Sequence, residues 1–213
     1  MERRRRQLSA RHLGDAVRDL EASVIFGGAG GAQQPAAELW VVRHFLRALG
    51  VEFEDAELRH SRHELADVAF RGAAFAVKEI GEVGRRRHDE YREALVRARA
   101  AAQGGHSGEF TVEELPLATV FARVRAATAT LAERRYSDAR VRRRLDLLFY
   151  VNLNPRRLWT ITDGDLPDVS GLAHEEWQSV SFLHGDSTSR VIFASAGAPP
   201  FLASHATPPR PHH

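Results

Sequence analysis

Lys78 is the sole lysine in a chain of 213 residues; the other members of its 30 basic side chains are all arginine. Arginine is a planar fork that stays charged, whereas lysine is a compact point charge whose pKa can be tuned. This lysine lies in a short apolar run, Ala-Ala-Phe-Ala-Val-Lys-Glu-Ile over 73–80, and the run before it, 65–70, carries Asp67. An acid on one strand and a lysine on the next form a nuclease-like arrangement, suited to phosphodiester chemistry. A surface lysine left by drift is the competing reading.

The two runs must pair as strands for that chemistry to assemble. Arg71-Gly72 between them has the composition of a tight two-residue turn. With that turn Asp67 stands opposite Ala76, and Lys78 is its diagonal neighbour on the same face. Glu79 then points to the other face. A slip of one residue would exchange Glu79 for Lys78, and only a bulge after Lys78 would gather all three. The expectation is that Asp67 and Lys78 share a face and Glu79 does not.

The surrounding pattern supplies a scaffold. Leu8, Leu13, Val17, Leu20 and Val24 recur at helical spacing over 7–25, and Gly27–Gln34 reads as a linker. Pro35 opens a helix over about 36–49, with Glu38 in its first turn, and Gly50 ends it. Val51–Leu58 alternates apolar and acidic residues and predicts a strand. Helices are predicted over about 86–102 and 113–135, with a loop at Gly104–Gly108. Leu145–Leu153 is nearly all apolar, as in a strand covered on both faces. Residues 157–162 are expected to continue the sheet, and 180–183 and 190–194 flank a hairpin turn at Gly185-Asp186. The order predicts one α/β domain with a mixed sheet over 35–205, preceded by a helix and Gly-rich linker over 1–34 and followed by a flexible tail over 206–213.

Composition narrows the function classes. The chain is 43% hydrophobic and 27% charged, enough to bury a core. It has no run of 18 apolar residues, so no membrane span is expected. Arg3–Arg6 reads as a basic arm rather than a targeting segment. The absence of cysteine excludes disulfides and thiolate metal sites and fits a reducing cytoplasm. A net charge of +2 does not announce a nucleic-acid binder. The arginines nevertheless cluster at 3–6, 85–87 and 134–144, where they could meet phosphates or simply keep helix faces soluble.

Other constellations are weaker. His60 and His63, with His88 and His106 further on, could suggest a metal site, yet no i, i+4 pair on a helix appears. Gly27–Gly31 lacks the lysine and the spacing of a phosphate loop. Ser179, Ser181 and His184 have no nucleophile elbow around them. Trp40, Trp159 and Trp177 read as core or interface residues.

Glu38 on a helix, Asp67 in Leu-Ala-Asp-Val-Ala-Phe and Lys78 in Phe-Ala-Val-Lys together resemble the core of the PD-(D/E)XK nuclease superfamily. The wider run, from Glu38-Leu39-Trp40 through Arg85–Arg87 to Trp177-Gln178-Ser179-Val180-Ser181, is similar to a bacterial family of unknown function whose members are described as endonucleases. The resemblance spans most of 36–205. It implies a restriction-endonuclease-like mixed sheet flanked by helices, behind an N-terminal helical arm. It also implies hydrolysis of DNA or RNA with Mg²⁺ or Mn²⁺. Asp67 would be the main metal ligand, Glu38 a supporting one and Lys78 the electrostatic element, with Glu79 a further ligand if a bulge admits it. One departure stands out: the glutamate expected two residues before the lysine is Ala76. The alternative is therefore a fold without turnover that binds nucleic acid or protein. A cytoplasmic homodimer is expected in either case.

Overall fold

The computed structural model describes residues 4–7, 34–81, 96, 99–100, 109–152, 157–162, 168–186 and 188–206. In chain order these contain β1 (Arg4–Gln7), α1 (Gln34–Ala48), β2 (Arg59–His60), β3 (Val68–Phe70), β4 (Ala73–Ile80), β5 (Glu109–Pro116), α2 (Leu117–Arg134), α3 (Ala139–Arg142), β6 (Asp146–Val151), β7 (Arg157–Thr162), α4 (Ser170–His174), β8 (Ser179–His184), β9 (Thr188–Ala194) and α5 (Pro200–Ala203). Six strands form one sheet in the order β2-β3-β4-β6-β8-β9, and β1-β5-β7 form a second, smaller one. In the large sheet β4, β6 and β8 run parallel; β2, β3 and β9 pair antiparallel at the edges. This is the mixed α/β class that the element order implies.

Different helices cover the two faces. α1 lays Val41, Val42, Phe45 and Leu46 against Phe75, Val77, Leu148 and Tyr150. α2 lays Leu117, Val120, Phe121 and Val124 on the face of Ala76, Ile80, Leu147 and Phe149. β6 is buried at every position, which explains its continuous apolar sequence. Arg71 (φ 40°) and Gly72 (φ 84°) both take left-handed backbone in the β3–β4 turn, the conformation that matches strand twist. Among the described residues no helix is long and apolar enough to cross a membrane.

Several expectations are corrected. Val51–Leu58 is not a strand: Asp55–Glu57 is a short 3₁₀ turn, and the edge strand falls on Arg59–His60 instead. Only two apolar residues alternate there, and Phe53 finds its burial edge-on against Phe70, 5.8 Å between ring centroids, without needing a ladder. The helix predicted from 113 starts at Leu117, because Glu109–Pro116 is β5. Pro116 ends that strand and sits at the helix N-cap, where no N–H is required. Residues 157–162 do form a strand, yet it pairs with β5 in the smaller sheet rather than continuing the large one. Arg4–Gln7 is a strand on β5, not a free arm at those residues. The chain stays structured through α5, whose Leu202 is buried in the core, as far as Ala206, which bridges to Val191. Of the helix expected over 7–25, Gln7 belongs to β1, and of the Gly27–Gln34 linker, Gln34 belongs to α1; the rest of both, the Gly104–Gly108 loop and residues 207–213 lie outside the described residues. Of 86–102 only Val96, Arg99 and Ala100 are described, and they are helical.

Candidate functional site

β3 starts at Val68, while β4 runs on past Phe75 without it. At that fork the Asp67 side chain stands in for the missing ladder. Its Oδ2 accepts the Val77 backbone N–H at 2.7 Å. Its own N–H donates to the Phe75 carbonyl at 2.7 Å, and its carbonyl accepts from Ser61 N–H at 3.0 Å. Lys78 Nζ reaches back to the same Oδ2 at 3.0 Å and donates to the Val77 carbonyl at 2.8 Å. The pair is 18 and 19% exposed, so it is held on most sides. Asp67 Oδ1 and the third Lys78 N–H have no hydrogen-bond partner among the described residues.

Glu38 comes to this fork from the second turn of α1, not the first, because the helix begins at Gln34. Its Oε1 accepts from Gln34 Nε2 at 2.9 Å, one turn back along the helix. The residue is 8% exposed. Burial raises its pKa above the ordinary carboxylate value and the Asp67 charge pushes the same way, while the Gln34 bond, Lys78 and His60 oppose them. Glu38, Asp67 and Lys78 therefore share one electrostatic neighbourhood, drawn from α1, the start of β3 and the middle of β4.

Glu79 does not join them. It alternates with Lys78 onto the face of Phe75 and Val77, and its Oε1 accepts from Asn152 Nδ2 at 2.7 Å. β4 runs in unbroken register with β6 from Phe75 to Ile80, with no bulge after Lys78, so Glu79 and Lys78 stand on opposite faces of the strand. Ala76, in the position where the superfamily resemblance asks for a glutamate, is fully buried in the α2-facing core.

Among the described residues no group of three or more His, Cys, Asp or Glu is placed to hold a metal ion. Mg²⁺ does not require one, because it keeps several waters and binds through one or two carboxylates plus substrate phosphate. Asp67 Oδ1 and Glu38 Oε2, both without partners among the described residues, are carboxylate oxygens, the donor type a hard cation prefers.

Two residues emerge that the sequence did not single out in these roles. His60, on the edge strand β2 opposite Val68, is exposed and interacts electrostatically with Glu38. Its proximity follows from the β2–β3 pairing, whereas His63 turns to its own loop and accepts from Leu65 N–H at 3.3 Å. Asp146 is fully buried at the start of β6. It accepts from Ser179 Oγ at 2.6 Å, Ala74 N–H at 2.9 Å and Gln178 Nε2 at 3.3 Å. Burial pushes its pKa up to about 6 against the pull of those three donors. The only sequence signal was an acid inside an apolar run. Ser179 is thereby a structural donor to Asp146, and Ser181 Oγ is buried without a partner among the described residues, so Ser181 does not pair with His184. Trp177 packs edge-on against Tyr136 in the core.

The fold and the fork define a class: an α/β protein with a central mixed sheet that carries a lysine–aspartate pair beside a buried glutamate. Sequence comparison places it further. The profile of the DUF1780 family, described as "Putative endonuclease, protein of unknown function", matches residues 13–208, and the chain belongs to that family. A solved structure from Pseudomonas aeruginosa strain PAO1, described as a protein of unknown function of the monooxygenase superfamily, is similar. It is 25% identical, covers 93% of this chain and 92% of its own, and superposes with a TM-score of 0.65. No curated protein matches the chain.

Proposed function

We propose that this protein hydrolyses nucleic-acid phosphodiester bonds at a PD-(D/E)XK-like site that lacks the glutamate at position 76. The supporting observation is that the chain's one lysine meets Asp67 at 3.0 Å beside the buried carboxyl of Glu38. The family's description as an endonuclease points the same way. Asp67 fixes the Lys78 ammonium, whose remaining N–H donates to a non-bridging phosphate oxygen and offsets the charge that grows as water attacks. Asp67 and Glu38 would hold Mg²⁺ or Mn²⁺. Such an ion, when bound, lowers the pKa of its water and polarises the phosphate. Glu38, costly as a buried anion, is favoured in its ionised form by a neighbouring cation.

Single- and double-stranded DNA and RNA, incubated with the protein in Mg²⁺, Mn²⁺ or EDTA, test this reading. Cleavage is expected only with metal, and to fall by about 10²-fold or more in Asp67→Ala and in Lys78→Ala. Cutting that survives both substitutions, or none on any substrate, would transfer the weight to a second reading: a nuclease-like fold that binds without turnover. Two observations favour that reading. Ala76 is sealed in the core, and Asp67 Oδ2 is already committed to Val77 and Lys78.

A further inference from the structure

Residues 134–144 hold six arginines and one acid, so this short segment carries a formal +5 in a chain of net +2. The structure sorts these arginines into two groups. Arg142 is consumed by the fold: it donates to the carbonyls of Glu175 and Tyr136 at 2.6 Å each and of Ser137 at 2.8 Å. Arg143 is paired with Glu176. Arg134, Arg135, Arg140 and Arg144 are exposed, and none has a carboxylate partner among the described residues. Arg135 lies over the Tyr136 ring at 5.6 Å, which orients its guanidinium without neutralising it.

We infer that the corner formed by Arg134, Arg135, Arg140 and Arg144 is a docking surface for the phosphate backbone of a nucleic acid. The C-terminal end of α2 attracts a cation by its dipole, which accounts for Arg134 alone. Solubility accounts for scattered charges of both signs, whereas here six arginines against a single acid, Asp138, are gathered on a rigid turn. That turn is held by the Arg142 bonds to three carbonyls and by backbone bonds such as Arg144 N–H to Val141 O at 3.0 Å. Guanidinium forks match phosphate oxygens two at a time, better than the point charge of lysine does. Arg144 precedes β6, and Lys78 aligns with Phe149 in the same strand's register. The corner and the fork are thus separated by about 16 Å along the strands at the usual rise. The inference takes its partner class from the proposed function and adds a second contact several nucleotides from the reacting phosphate.

The experiment measures binding of labelled duplex DNA and of matching single-stranded RNA across a salt series, in EDTA so that no cutting intervenes. Each phosphate contact contributes a slope of about −0.9 in log K against log salt for duplex DNA. The fourfold Arg→Gln variant at 134, 135, 140 and 144 is expected to lose at least tenfold in affinity, with a slope shallower by roughly 3.6. Arg140→Gln alone should lower the slope by about 1 and keep the native unfolding midpoint. Unchanged affinity and slope in both variants, or no binding by the native protein to either nucleic acid, would overturn the inference. Metal-dependent cutting by a variant whose binding is unchanged would leave the proposed function standing without this surface. Weakened binding in a protein that never cuts would leave the surface standing without the nuclease.

Discussion

Ala76→Glu is expected to unfold the protein rather than to complete a metal site. Comparison with the nuclease motif alone suggests the opposite, since a glutamate two residues before the lysine is what the motif lacks. The structure places Ala76 at zero exposure in the central strand β4, beside Leu147 in register and against the core that α2 covers. Extra side-chain volume in a packed core costs about 1–3 kcal/mol. An unpaired carboxylate there adds several more, or protonates to escape the cost. A total of about 4 kcal/mol or more is comparable with the whole stability of an ordinary domain. Urea unfolding, or the soluble yield where the variant is too unstable to titrate, reads the result. A variant with native stability and faster metal-dependent cutting would show that position 76 opens onto the fork, and the core reading of β4 would fail.

The contrast between Ala76 and Asp67 shows what was legible. Register follows from local chemistry: Arg71-Gly72 can only be a tight turn, and the alternation on either side then sets Asp67 across from Ala76 and Lys78 on the diagonal. α1 was equally readable, because Pro35, its apolar stripe and Gly50 are local signals. What could not be read is how a side chain behaves where a strand ends. Asp67 bends into the ladder because β3 pairs with β4 only from Val68 onward, and no residue type near Asp67 announces that limit. Strand partnership is hidden for the same reason. The sequence of 157–162 says strand, but only the presence of β5, mistaken for the start of a helix, says which sheet it joins. Glu38 was placed on its helix correctly, while its Gln34 partner depended on a helix start two residues earlier than the proline suggested.

Asp146→Asn is expected to stabilise the protein at pH 7, by roughly 1–3 kcal/mol, where Asp146→Ala is expected to cost about 2–4 kcal/mol. The three groups around this carboxyl decide the difference. Ala74 N–H and Gln178 Nε2 both donate to Oδ2, and Ser179 Oγ lies beside Oδ1 at 2.6 Å. An amide with its oxygen at the Oδ2 position keeps the first two bonds, and its NH₂ donates to the hydroxyl of Ser179, which can turn to accept. The neutral amide thus reproduces the protonated acid without the desolvation of an anion, whereas alanine leaves buried donors unpaired. The sign with pH follows from the raised pKa. The folded state holds its proton up to about pH 6, and the unfolded chain releases it near 3.8. The stability that this group contributes is therefore complete below the unfolded value, declines as pH rises through about 6, and is flat beyond. The gap between 3.8 and about 6 corresponds to about 3 kcal/mol. Unfolding free energies of wild type and Asp146→Asn at pH 4.5 and 7 should converge at the lower pH and separate at the higher. If the asparagine variant were as unstable as the alanine one at pH 7, the full carboxylate would be what joins β4, β6 and β8. Asp146 would then be a buried anion that the three donors more than compensate, and burial would not be the dominant influence on its proton.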